Sequence, residues 1–195
     1  MNNIQDLNIK DEVLPIFDYS LNMFAKAKIL EILHTPLNSV EEVLYRQNIL
    51  RAFAKNNTVL KKYSYTVLYL NEVHFFLNDT VLVDLRESKI IIFFHRLQTF
   101  YFNRLSLEPF PEPFKDKIKE IVSFLSQFQL EKYEHLIREH RLKDSHIIAL
   151  THILVDQKEK KRIAVFWENL FLFEAYLSIN QGILNNNFVF PSFSE

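Results

Sequence analysis

Gly182 is the only glycine among the 195 residues of this chain, and that scarcity constrains the fold more than any other feature. Tight hairpin turns need residues at positive φ, which glycine adopts without steric cost and other residues adopt reluctantly. A chain so short of glycine is poorly supplied for β-meanders or sandwiches. The expected class is therefore all-α, a helical bundle with a long antiparallel helix pair. The same shortage removes two nucleotide sites. The phosphate-binding loop G-x-x-x-x-G-K-S/T and the dinucleotide glycine fingerprint each need more than one glycine.

Residues 20–56 carry the strongest helical pattern. Leu21, Phe24, Ala25, Ile29, Ile32 and Leu33 recur at three- and four-residue intervals and mark one buried face. Pro36 cannot donate a backbone hydrogen bond and pushes Thr35 out of the α region, so this helix should stop near His34. After the corner, Asn38 with Glu41 and Ser39 with Glu42 form two overlapping capping boxes, and a second helix starts there. Gln47 lies on the apolar stripe of that helix between Leu44 and Leu50, and Arg46 borders it. Polar groups in such places need partners, because a buried unpaired donor costs roughly 1–3 kcal/mol. Arg46 and Gln47 are expected to tie this helix to its neighbours.

This arrangement, with a hydrophobic pair closing a helix, Pro-hydrophobic, a capping step and then Arg-Gln, resembles the opening of the core domain in the MutS family of DNA mismatch repair ATPases. The matching residues are Phe24, Ile29, Leu33, Pro36, Leu37, Arg46 and Gln47; Ala25 stands where the family usually has glycine. At the far end Asn187, Phe188, Pro191 and Phe193 resemble the extended segment leading from the family's helical lever into its ATPase domain. The resemblance implies a core and lever region (the family's third domain) without its ATPase, passing ATP-driven motion to DNA with no catalysis of its own. ATP and Mg would belong to the full-length protein, and so would a possible homodimer. The implied partners are DNA, bound weakly, and a C-terminal ATPase domain. Mismatch recognition is not implied, because the core motif begins within the first twenty residues and the stretch 139–145 offers only a short turn in place of a DNA-gripping clamp.

The remaining segments follow from pattern. The first dozen residues read as a frayed lead-in, and 13–19 as a short apolar segment packed on the 20–56 pair. A third helix is expected over 57–77 with His74 on its stripe as a core histidine. A fourth, capped by Asp79 and Thr80 and running to about Ser106, contains the all-apolar stretch 90–94. A buried strand is the rival reading there, and a helix in the middle of the bundle is preferred. Three alternating prolines in 108–113 read as a stiff extended connector. They divide a core bundle (1–108) from a lever-like helix pair and exit segment (109–195). The first helix of that pair is expected over 114–141. Its mate, running from Asp144 or Ser145 through the charged stretch 157–162, is expected to end at a left-handed cap on Gly182.

With 48% hydrophobic residues the chain can bury a substantial core. Its nineteen phenylalanines read as genomic composition bias. The 23 basic and 24 acidic residues give a net charge of −1, without the one-sided basic field of a dedicated nucleic-acid binder. Absence of cysteine excludes disulfides, thiol catalysis and thiolate zinc sites. No long apolar run or secretory signal is visible, so no membrane association and a cytoplasmic location are expected.

His135 with Glu139 and His140, and His146 with His152, lack the i, i+4 spacing of a zinc helix, and the carboxylates are interleaved with lysine and arginine as on a solvated surface. The run Lys158 to Arg162 is read as such a surface too. No catalytic, cofactor-binding or metal residue is expected. The residues singled out are structural: Pro36, Leu37, Arg46, Gln47 and Pro191. The competing reading is a helical protein–protein interaction module unrelated to repair, docking through an exposed strip of Phe166, Trp167, Phe171 and Phe173. A helical enzyme with a buried acidic metal site ranks below both.

Overall fold

The computed structural model describes residues 8–78, 89–139, 141–159 and 161–192. Among these residues there is no strand, and the fold is an all-helical bundle. In chain order the helices are α1 (Leu14–Phe17), α2 (Met23–His34), α3 (Val40–Lys55), α4 (Asn57–Leu60), α5 (Val67–Asn78), α6 (Lys89–Arg96), α7 (Glu112–Ser126), α8 (Glu134–Arg138), α9 (Asp144–Glu159) and α10 (Arg162–Asn185). None of the described helices is long and apolar enough to cross a membrane.

The central element is α10, 24 residues long and so about 36 Å from end to end. It is buried on nearly every side because α2 and α7 flank it and α1, α3 and α9 also lie against it. Along α2 the partners on α10 fall in number as α2 rises: Asn22 bonds Glu174 at 2.6 Å, Phe24 stacks on Phe171 at 4.9 Å and Lys28 pairs with Glu168 at 2.7 Å. Along α7 the same holds, with Phe114 against Tyr176 at 5.3 Å and Phe124 against Phe166 at 4.2 Å. Both flanking helices are therefore antiparallel to α10, and α7 with α10 is the long pair. Phe53 of α3 joins the sides, its ring 5.3 Å from Phe110, 5.9 Å from Phe114 and 4.9 Å from Phe173. One apolar cluster thus spans both sides of Pro109.

Local rules set the ends of α2 and α3. Asn22 caps α2 by accepting the Ala25 N–H, and Ser39 caps α3 by accepting the Glu42 N–H at 3.2 Å, while the Glu42 carboxylate takes the Asn38 N–H. Of the two overlapping boxes, only the Ser39 half of the second forms, because the Glu42 carboxylate returns to the N–H one residue before the cap.

Several expected helices are interrupted, each for a tertiary reason. The 57–77 helix is split, with residues 61–66 non-helical between α4 and α5. The split turns both Tyr63 and Tyr65 toward α10, which residues two apart on one helix cannot do. Side chains satisfy the exposed backbone there: Tyr101 Oη lies 2.9 Å from Lys62 O and accepts the Ser64 N–H, and Arg96 Nε donates to Ser64 O. The 114–141 helix stops at Ser126 because Phe128 and Leu130 are both buried around exposed Gln129, which takes a left-handed conformation at φ 48°. The helix expected to run through 157–162 breaks at Lys161, φ 57°.

The stretch 90–94 is helical, not extended, and its helix continues through a wide π turn (Leu97–Tyr101) into a tight 3₁₀ turn (Phe102–Arg104). Ile91, Phe93 and Phe94 are buried, but α10 rather than this helix holds the middle of the bundle. The expected cap at Asp79 and Thr80 lies outside the described residues. The proline connector is a compact corner: the Phe110 N–H closes a turn on Leu107 O at 3.1 Å, and Pro113 sits in the first turn of α7, where no intrahelical N–H is needed. Ile9, in the expected lead-in, is buried within a π turn (Ile9–Val13).

Gly182 is not a helix cap. It is interior to α10, which ends in a Schellman motif with Asn187 at φ 54° and the Phe188 N–H on Ile183 O at 3.0 Å.

Candidate functional site

The residues singled out from the sequence gather at two junctions. At the first, the last backbone bond of α2 runs from Thr35 N–H to Glu31 O. The next would run from residue 36 to Ile32 O, but Pro36 has no N–H to give. Arg46 supplies the missing donor, its Nη1 lying 3.1 Å from Ile32 O. A cation at a helix C-terminus also opposes the negative end of the helix dipole. The same guanidinium faces Tyr176 of α10, whose phenol burial pushes up while Arg46 opposes the rise. Pro36 is exposed and Leu37 half-buried in the corner itself.

At the second junction Gln47, only 5% exposed, donates from Nε2 to Pro191 O at 3.2 Å. Beside it Arg51 lies over the Phe190 ring, 5.1 Å from its centroid. The segment following α10 is therefore laid on α3 through one main-chain carbonyl and one aromatic ring. Phe193 is outside the described residues.

Arg46→Ala should lower stability by about 1–2 kcal/mol, the worth of a hydrogen bond from a charged donor at a half-buried site. In a Pro36→Ala background residue 36 regains an N–H for Ile32 O, so the same substitution should cost about 1 kcal/mol less. Equal costs in both backgrounds, measured by denaturant unfolding, would show that Arg46 does not serve this carbonyl.

A third site has no counterpart among the residues singled out from the sequence. Glu174, 4% exposed, projects from the middle of α10 into a polar network. Tyr63 Oη donates to its Oε1 at 2.7 Å, and Oε2 accepts from Asn22 Nδ2 at 2.6 Å and Tyr65 Oη at 3.0 Å. Asn22 is also the cap of α2, so the network joins α2, the 61–66 loop and α10. Burial raises the Glu174 carboxyl from its ordinary 4.5 to about 7, against the three donors, which lower it. The Tyr63 and Tyr65 phenols are pushed up in turn by burial and by the carboxylate beside them. A cavity of about 70 Å³ is lined by Glu174 together with Tyr19, Lys61, Tyr63, Ser178 and Gln181. The sequence signal for this site is one acid inside the apolar run Phe171 to Leu177.

The remaining candidates make packing and local backbone contacts. The His74 ring packs 4.2 Å from Phe24 and 5.2 Å from Trp167, and burial lowers its pKa. His146 Nδ1 accepts the Lys143 N–H at 3.2 Å, while His140 lies outside the described residues. No three His, Cys, Asp or Glu side chains among the described residues converge to hold a metal ion. Phe166, Trp167, Phe171 and Phe173 are all buried, so the aromatic strip expected to dock a partner protein is core. Compared with protein-family models, curated proteins and solved structures, the chain matches none of them.

Proposed function

We propose that this chain is the core and lever region of a MutS-like DNA-binding ATPase, a helical frame that passes ATP-driven motion to DNA and does no chemistry itself. The observation that carries the reading is the bond from Gln47 to Pro191 O. It joins the two segments in which the resemblance lies, the Arg46-Gln47 helix and the segment resembling the lead into the ATPase. A pull on residues 188–192 is transmitted to α3 through Gln47, and from α3 to the end of α2 through Arg46. Packing of α2 and α3 on α10 carries the displacement along the longest helix. A frame of this kind suits coupling because packed elements shift as units rather than deform.

The coding sequence beyond codon 195 gives the first test, since a phosphate-binding loop is expected there and its absence would end the reading. In the protein with that ATPase, Gln47→Ala should leave ATP turnover without DNA nearly unchanged and reduce its stimulation by DNA about fivefold or more. Equal stimulation in both proteins would overturn the coupling route. The chain alone should bind duplex DNA weakly and without sequence preference, with affinity falling steeply as salt rises. Tight mismatch-selective binding in a gel shift would contradict that.

A further inference from the structure

The network around Glu174 leaves the carboxylate one unanswered direction. Its two oxygens offer about four lone-pair positions, and three donors occupy three of them, two on Oε2 and one on Oε1. All three donors are neutral. A buried carboxylate without a cation carries a large desolvation cost, which a proton or a small cation can offset. Glu174 and Tyr63, the donor on its Oε1, both line the cavity of about 70 Å³. A buried water needs about 10–15 Å³ of such space, so the cavity takes roughly five waters or as many ligand atoms.

Two charges of opposite sign line the cavity. Glu174 forms its buried wall, and Lys61, an exposed residue, stands at its lip. A lone cation entering would meet the Lys61 ammonium, and a lone anion would meet the Glu174 carboxylate. A molecule with an ammonium and a carboxylate a few bonds apart satisfies both. We infer that the cavity beside Glu174 binds a small zwitterion of the α-amino acid class, its ammonium on Glu174 Oε1 and its carboxylate on Lys61. The smallest such molecule, free glycine, has the number of heavy atoms the space admits. This site is independent of the coupling role proposed above.

Isothermal titration calorimetry of the whole chain with glycine at about pH 8, where Glu174 is ionised, tests the assignment. Saturable binding in the millimolar range is expected for so few contact atoms. Methylammonium and acetate, each with one of the two charges, should bind about tenfold more weakly, as should glycine to Glu174→Gln or to Lys61→Met. Lys61 is exposed, so its variant remains informative even where Glu174→Gln fails to fold. Lowering the pH to about 5.5 should weaken binding, since Glu174 is protonated there. The groups bonded to it, Asn22, Tyr63 and Tyr65, include no other carboxylate and no imidazole, and the only other charged residue lining the cavity is Lys61. No binding of glycine, binding no tighter than that of methylammonium, or equal binding to both variants would each overturn the proposal.

Discussion

Raising the pH from about 4.5 to about 8 should destabilise this protein, and Glu174→Gln should remove most of that loss. The folded state holds the Glu174 proton up to about pH 7, whereas an unfolded glutamate releases it near 4.5. Below 4.5 both states are protonated and the contribution is fully present. Between the two values only the unfolded state ionises, so folding is progressively disfavoured, by about 1.4 kcal/mol per pH unit. Across the window the loss is roughly 3 kcal/mol, and it levels off above the folded value. In a chain of this size that corresponds to roughly 10 °C in Tm. Asp18 carries the opposite sign, because its partners Lys26 and Ser20 outweigh burial and lower its pKa, so its contribution fades as the pH falls. The wild type minus Glu174→Gln difference cancels that background. If the two stability curves run parallel between pH 4.5 and 8, the three donors outweigh burial and the carboxyl is ionised in the fold.

What the sequence makes legible here is whatever depends on neighbours along the chain. The corner at Pro36, the end of α2 at His34 and the cap at Ser39 are covalent or one-turn effects, and they lie where the pattern puts them. So does the helical class, because missing glycine is a backbone property. The polar pair Arg46 and Gln47 is recognisable as needing partners, yet only the fold shows that the first partner is the carbonyl Pro36 leaves unpaired. The breaks at Gln129 and Lys161 are not legible. Both are non-glycine residues at positive φ, and the left-handed strain of Gln129, about 1–2 kcal/mol, is held by burying Phe128 and Leu130 together. The Glu174 network is illegible for a related reason: its members lie at positions 22, 63, 65 and 174, and no periodicity connects them.

The single glycine gives the second large effect, and its sign separates two accounts of the residue. Were Gly182 an ordinary helical position, Gly182→Ala would stabilise α10 by about 1 kcal/mol through backbone entropy and propensity. The packing requires the reverse. A Cβ there would lie 2.5 Å from Ile16 O, 2.9 Å from Phe17 Cδ1 and 3.0 Å from Phe17 Cα. The closest of these is a main-chain atom, so no rotamer change relieves the contact, and α1 must move away from α10. One turn earlier Ser178 Oγ holds the same segment, donating to Phe17 O and accepting the Tyr19 N–H, both at 2.7 Å. Displacing α1 strains those bonds as well. Overpacking of this kind costs typically 1–3 kcal/mol, and the lost hydrogen bonds add about 1 kcal/mol each. Gly182→Ala is therefore expected to destabilise by about 3 kcal/mol net of the propensity gain. Because the alanine already loosens α1, Ser178→Ala should cost less in the Gly182→Ala background than alone, a coupling that a double-mutant cycle reads directly. A stabilised Gly182→Ala protein would mean that α1 does not pack against α10 as closely as 2.5 Å requires.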